Sequence, residues 1–388
     1  ASFGLLAALL VILATRTALG EEAFNSWGWR IPFLASIFLL AISVWMRIKL
    51  AESPAFTKLR EDGEVSKAPL REAFARRDSL KQVLIAFFAI MCAQGAVWYF
   101  TFFYMQVFLE KSLGLPAATK DMLLIAMTIV SAPLYVVFGA LSDRVGRKPV
   151  MLGGMLLALA LYFPGSHLIA ASVNPALVEA QAASPVVVVT DPASCTVQFD
   201  PTGTRRFETA CDIAKSLLVA RGISYNEAAS PDGATAIRVG SSALAVPGGE
   251  ALDDPGLKAL KSATGEQLKQ QLIAAGYPLT ADPKAVHYPT LLLVLFGFVV
   301  AATALYGPQA AALVEMFPTR IRYTALSLPY HIGTGWVGGF LPVTSFAVVA
   351  ITGDIYAGLW YAVGFTALSA VVTILFLKET RGKPLEEC

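Results

Sequence analysis

Eight separate apolar runs, each about as long as a lipid bilayer is thick, constrain this chain more than any other feature. A hydrocarbon core of about 30 Å needs roughly 20 apolar residues at 1.5 Å each. Such runs cover 2–19, 31–50, 82–109, 122–141, 150–170, 289–313, 324–351 and 355–377, with their charges at the ends. In lipid each must satisfy its own backbone N–H and C=O groups, so each reads as a helix. Composition agrees: 56% hydrophobic and 15% charged residues over 388 positions, with a mean hydropathy of +0.61, are too apolar for a soluble globule. The run 2–19 is short enough to suggest a signal peptide, but it has no basic n-region and no usual cleavage site before Glu21-Glu22, so it is counted as a span. The chain opens in apolar sequence without an initiator Met, which predicts further residues upstream.

Lys and Arg in short loops are retained on the cytoplasmic side. Arg47, Lys49, Lys58, Arg60, Lys67, Arg71, Arg76, Arg77, Lys81, Arg144, Arg147, Lys148, Arg320, Arg322, Lys378, Arg381 and Lys383 fall on one side, seventeen in all. The opposite short loops hold only Arg30, Lys111 and Lys120, with Arg16 near the end of the first run. Both termini and the 51–81 loop are therefore expected in the cytoplasm of a multi-pass plasma membrane, of the bacterial inner type, and 171–288 outside it. A net charge of +2 and a pI near 8.3, with no basic stripe interleaved with aromatics, give nucleic acid no support as a partner. The four cysteines have neither CxxC spacing nor histidine neighbours at ligand spacing, so no metal and no cofactor is predicted. Cys195 and Cys211 are the only two in the outer stretch, where disulfides persist, and a bridge between them is expected; two free buried thiols is the alternative.

The outer stretch changes character at Ser184 and reads as a small α+β insertion. Residues 185–190 and 196–199 read as strands, 206–221 as a helix stopped by Gly222, and 234–239 as a further strand. Asp254-Pro255 looks like a helix start, Thr264-Gly-Glu-Gln267 has capping-box spacing, and Gly276 closes that helix. The insertion carries no phosphate loop, HExxH or nucleophile elbow, so an enzymatic role has no residue to carry it. A docking, gating or folding module and an inert insertion both remain open.

The most specific stretch is Gly139-Ala-Leu-Ser-Asp-Arg-Val-Gly-Arg-Lys-Pro-Val150, in the short loop after the fourth run. It resembles the loop signature of the major facilitator superfamily. That resemblance implies that Gly139 is a helix-packing position, Asp143 a gate carboxylate beside a helix end, and Arg144, Arg147 and Lys148 its basic partners, with Gly146 the second glycine of the turn. A carboxylate at a helix N-terminus is stabilised by the helix dipole and by a guanidinium, and both contacts can part in a rocking motion. Ser26-Trp-Gly-Trp-Arg-Ile-Pro-Phe33, Ala51-Glu-Ser-Pro-Ala-Phe56, Gln94-Gly-Ala-Val-Trp-Tyr99, Glu315-Met-Phe-Pro-Thr-Arg-Ile-Arg322 and Lys378-Glu-Thr-Arg-Gly382 are similar to the metabolite:proton symporter family, whose carriers take proline and betaine, α-ketoglutarate, citrate or shikimate.

The resemblance implies a partial major facilitator fold, an all-α polytopic membrane protein of eight transmembrane helices corresponding to family helices five to twelve. Residues 1–50 would be the last two helices of the first half, 51–81 the cytoplasmic linker, 82–170 and 289–377 the second half, 171–288 the insertion and 378–388 a cytoplasmic tail. The first four family helices are absent, and the insertion is much longer than the usual loop.

An ionisable group at membrane depth is costly and is a functional candidate by default. His331 qualifies: it follows Pro329-Tyr330 and precedes Gly333, Gly335, Gly338 and Gly339, a pattern that suggests an interrupted helix. It reads either as a proton or anion contact, or as a neutral histidine satisfied by a carbonyl. Arg16, nearer a helix end, reads as a snorkelling side chain. Gln94, Trp98 and Tyr99 lie on neighbouring faces of the third run, and Tyr306 and Gln309 pair at i, i+3 in the sixth; all are candidates to line a cavity. The runs contain no Asp or Glu, so a carboxylate proton carrier is expected on helices outside this chain.

Together these readings favour a monomeric secondary transporter that moves a small polar or anionic metabolite with protons by alternating access. The alternative is a membrane sensor whose outer domain binds ligand, though the 51–81 segment is too short and charged for an output domain. A membrane enzyme lacks clustered catalytic groups, and ATP-driven transport lacks a phosphate loop.

Overall fold

The computed structural model describes residues 2–50, 54–64, 66–202 and 204–382. Ala51, Glu52 and Ser53 of the motif leaving the second run, Lys383 and Cys388 lie outside the described residues. Eight helices follow the apolar runs, with a small α+β insertion between the fifth and sixth.

The first span, α1, covers Ser2–Leu19. At Gly20, whose φ of +80° no L side chain adopts comfortably, the chain turns through 120° into a short arm, Glu21–Gly28. The second, α2, covers Arg30–Lys49 and presents its apolar face outward, with Phe38 and Ile48 each more than 70% exposed. Two short helices, Pro54–Glu61 and Pro69–Ala75, occupy the linker. Then come α3 (Arg77–Ser112), α4 (Ala117–Val145) and α5 (Arg147–Val173). Only Gly146, at φ +112°, separates α4 from α5.

The inserted domain opens with α6 (Pro175–Ala183), capped by Asn174, whose side chain accepts from the Leu177 N–H. Strand β1 (Val186–Thr190) buries alternate residues, leads through α7 (Ala210–Val219) to β2 (Tyr225–Ala229), and is followed by the hairpin β3 (Ala236–Val239) and β4 (Ser242–Ala245). The sheet runs β2-β1-β3-β4, with β1 parallel to β2 and antiparallel to β3. The crossover helix α7 and the long α8 (Asp254–Ala274) cover one face and bury Ile213, Leu218, Leu268 and Leu272 against Val186, Val188 and Ile237.

Three helices complete the bundle: α9 (Tyr288–Met316), α10 (Arg322–Thr352) and α11 (Leu359–Phe376). The inserted domain is fastened to loops and helix ends of the bundle. Tyr225 donates from its backbone N–H to Gly353 O at 2.7 Å and from its hydroxyl to Ala350 O, Ala281 N–H reaches Gly114 O, and His287 N–H reaches Ser172 O.

Several expectations need correction. Residues 196–199 form no strand: the Asp212 carboxylate accepts from Thr196 N–H at 2.9 Å and its hydroxyl at 2.8 Å, so a side chain takes the place of a ladder. The expected capping box at Thr264 is not a helix start. Thr264 is buried in the middle of α8, whose true cap is Asp253, accepting from Gly256 N–H. The interruption expected after His331 is present: within the 31-residue α10 the α-helical winding ends at Ile332, Gly333–Gly338 is wound as a π-helix, and a turn at Gly339-Phe340 precedes Leu341–Thr352; the glycines also serve packing. A Cβ on Gly333 would sit 2.8 Å from Met91 O, so α3 and α10 cross at a distance only glycine permits.

The apolar runs hold no Asp or Glu, but the helices extend past them: Glu110 lies near the end of α3 and Asp121, 4% exposed, in the second turn of α4, both in ion pairs. Arg16 does not snorkel outward. Its Nη1 lies 2.7 Å from Asp121 Oδ2.

Candidate functional site

One end of the bundle gathers three motifs that lie far apart in sequence. The α4–α5 turn supplies Arg147, the end of α9 supplies Glu315, and the segment after α11 supplies Glu379 and Thr380. Arg147 Nη2 is 3.1 Å from Glu315 Oε1, with both side chains 12% exposed, and Arg147 Nη1 donates to Ser142 Oγ at 2.7 Å and to Asp143. Thr380 donates its hydroxyl to the same Glu315 carboxylate. A guanidinium's planar fork suits this shared duty.

The N-terminus of α5 is held by Glu379. Its carboxylate accepts from the Arg147 N–H at 2.8 Å and the Lys148 N–H at 3.0 Å. These are donors a helix start leaves unsatisfied, and the positive end of the dipole favours the negative charge. Burial works against that charge, but the N–H groups of Arg381, Arg147, Lys148 and Thr380 outweigh it and hold the carboxyl below its ordinary 4.5. Gly146 makes the approach possible: a Cβ there would stand 2.5 Å from Glu379 Oε2. At the facing helix end, Lys148 Nζ donates to Ile374 O at 3.0 Å, placing a cation on the C-terminal carbonyls of α11.

Asp143, the expected carboxylate at the helix end, is instead exposed and pairs within its own turn with Arg147. Arg144 is exposed and has no ion pair among the described residues. Gly139 is not the tight packing position. A Cβ there would meet only Gly307 O at 3.9 Å, whereas one on Gly307 would meet Tyr135 O at 3.0 Å and Gly139 N at 3.1 Å. The glycine that lets α4 and α9 touch is thus on α9.

A second feature lies deeper in the spans. Trp98, Tyr135 and Tyr306, from α3, α4 and α9, form a half-buried aromatic wall. Trp98 Nε1 donates to Tyr135 Oη at 2.9 Å, and Tyr306 stands 6.1 Å from Trp98 and 5.4 Å from Tyr135 by ring centroids. Tyr99 meets Trp98 edge-on, with ring centroids 5.3 Å apart, and Tyr330 faces Tyr306. Gln94 and Gln309 are 1% and 3% exposed, and among the described residues neither Oε1 has a hydrogen-bond partner; Gln309 Nε2 faces Met91 Sδ at 3.3 Å. His331 is exposed beside Tyr330, at 5.6 Å. Sequence reasoning named Trp98 and Tyr306 but missed Tyr135 and Tyr330. Tyr135 lies two residues after Pro133 within the fourth apolar run, the one signal available.

Cys195 and Cys211 are joined by a disulfide, with Cα atoms 5.2 Å apart. Among the described residues no cluster of three potential metal ligands occurs.

A bundle of long membrane helices, stitched by charge at one end and lined with aromatic groups within, is the architecture of a multi-pass membrane protein. The chain belongs to the major facilitator superfamily: that family's profile matches residues 1–190, and the profile of the Sugar (and other) transporter family matches residues 269–388. The stretch between the two matches lies within the inserted domain. The ectoine/proline transporter of Corynebacterium glutamicum is 35% identical over 153 residues, 37% of this chain and 30% of the relative. The citrate-proton symporter of Klebsiella pneumoniae is 33% identical over 159 residues, covering 40% and 34%, and the proline/betaine transporter of Salmonella typhimurium is 30% identical over 174 residues, covering 42% and 34%. The matches thus span about a third of the length of these curated relatives. No solved structure matches the chain.

Proposed function

We propose that this chain is part of a secondary transporter of the metabolite:proton symporter kind, which moves a small polar metabolite with protons by alternating access. The observation that carries the reading is the convergence of the α4–α5 turn, Glu315 and Glu379 at one end of the bundle, where charge-assisted contacts set the spacing of four helices. In the proposed orientation that end faces the cytoplasm and the inserted domain lies outside. The Lys and Arg bias and the disulfide in the inserted domain support this.

Between the citrate-type and the proline- or betaine-type substrates named for its relatives, the wall favours a zwitterion with an ammonium group. Rings of Trp and Tyr attract a cation over their faces, by about 0.5–2 kcal/mol each depending on desolvation. A polycarboxylate needs cationic side chains, and the central parts of α3, α4, α5, α9, α10 and α11 contain no Lys or Arg.

The test is uptake of labelled glycine betaine, proline and citrate into vesicles carrying the protein, with and without a protonophore. Betaine or proline uptake that collapses with the proton gradient is expected. Uptake indifferent to the gradient removes the symport claim, and uptake of citrate alone overturns the zwitterion assignment.

A further inference from the structure

The helices α1 and α2 reach the rest of the bundle chiefly through the contact of α1 with α4. That contact is apolar along most of its length, with Leu9 buried, and it carries one ion pair, Arg16–Asp121, at the end where the inserted domain sits. We propose that Arg16 and Asp121 are the outer gate pair of the transport cycle: their contact holds α1 against α4 while that end is closed, and it parts when the end opens. The proposal rests on the transporter reading above.

The surroundings of the pair suit a contact that breaks and re-forms. Asp121 is also 3.1 Å from Lys120 Nζ, and Lys120 is 2.6 Å from Glu110 Oε2, which in turn meets Lys111 at 3.1 Å. Arg16 faces Glu21 at 3.5 Å and lies 4.9 Å over the Phe24 ring. When the gate parts, Asp121 therefore keeps Lys120, and Arg16 keeps Glu21 and an aromatic face. Neither is left as an uncompensated charge, the outcome that makes breaking a buried pair so costly. Three cations and three carboxylates make up the group, so it is neutral in either arrangement. The other helices against α4 add little charge here. On α5 and α9 the charged residues Arg147, Lys148 and Glu315 sit at the opposite end, while His167 stacks on Tyr356, and His287, just before α9, hydrogen-bonds Thr290. The pair also differs from the Arg147 network, which ties helices of one bundle together, because it joins the α1–α2 pair to that bundle.

The gate is tested by distance, independently of uptake. Spin labels are placed at Thr17→Cys and Met122→Cys, both exposed positions flanking the pair, in a Cys388→Ser background where Cys92 is buried and the other two cysteines are bridged. Pulsed electron resonance in nanodiscs is expected to show a dominant short distance. Asp121→Asn or Arg16→Gln should shift the ratio of long to short populations about tenfold or more toward long. Asp121→Glu and Arg16→Lys, which keep the charges facing each other and their neighbours Lys120 and Glu21 compensated, should keep the short distance dominant. An unchanged distribution in the charge-removing variants overturns the gate, as does a shift in the charge-keeping variants as large as in the charge-removing ones, including where a charge-removing variant folds poorly. Absent uptake by the unmodified protein would sink the transporter reading and leave the distances to be judged alone.

Discussion

Replacing Glu379 with Ala separates the structural reading of the signature turn from the one its sequence suggests. The substitution removes the acceptor of the first two α5 N–H groups, Arg147 and Lys148, while Arg147 keeps Glu315 at 3.1 Å. Loss of a capping side chain costs about 0.5–2 kcal/mol, and loss of the charge at the dipole about 0.3–1 kcal/mol. Together these span about 0.8–3 kcal/mol, and because Glu379 is exposed at the bundle surface, screening favours the lower half of that range, about 1.4 kcal/mol, which is about a tenfold change in an opening equilibrium. Asp143→Asn, by contrast, removes one exposed i,i+4 pair worth about 0.3–0.5 kcal/mol, or about twofold. Hydrogen exchange at the Arg147 and Lys148 amides in nanodiscs reads both. Exchange should rise about tenfold in Glu379→Ala and no more than about twofold in Asp143→Asn. The reverse order, or no change in Glu379→Ala, would refute the assignment of Glu379 as the α5 cap.

The same amides report on pH. A carboxyl held below its ordinary 4.5 contributes its full stabilisation above that value and loses it as pH falls through the lower bound-state value, so their protection should persist at neutral pH and vanish in acid. Gly307→Val should lower the thermal stability of the bundle by about 1–3 kcal/mol through overpacking against Tyr135 O and Gly139 N, and Gly139→Ala should be nearly neutral. Reducing the inserted domain, or making Cys211→Ser, should destabilise it by about 2–4 kcal/mol, measured by limited proteolysis of 175–287.

The spans were legible because hydropathy over twenty residues averages out local detail, and the motif loops were legible because their residue types are unusual in lipid. What decides the site was harder to read. Asp121 lies outside the apolar run, so hydropathy put it in a loop, although Pro116 just before Ala117 marks a helix start that places it within the second turn. Strand β2, Tyr-Asn-Glu-Ala-Ala, has no alternating apolar face because it is a sheet edge whose second side chain points to solvent. Gly139 and Gly307 are indistinguishable as letters. Which one meets backbone depends on the rotation of α4 against α9, a tertiary fact.

The geometry also changes what the signature turn does. A gate contact must join two bodies that move apart, yet Arg147, Glu315, Glu379 and Lys148 all connect α4, α5, α9 and α11 with one another. Such a network fixes the spacing of helix ends within one body. It makes that body rigid enough for a small movement at one end to be transmitted to the other, since packed helices have few soft modes of their own. The pairs that do join separate parts are Arg16–Asp121, between α1 and α4, and Glu72–Arg320 at 3.5 Å, between the linker helix and the segment before α10. The first is mostly buried, with side chains 16% and 6% exposed, whereas the second, at 42% and 28%, is longer and more open to solvent, which weakens its hold on the equilibrium. On the proposed gate, then, the charge network at the signature end holds one body together, and the contact that would part lies at the other end.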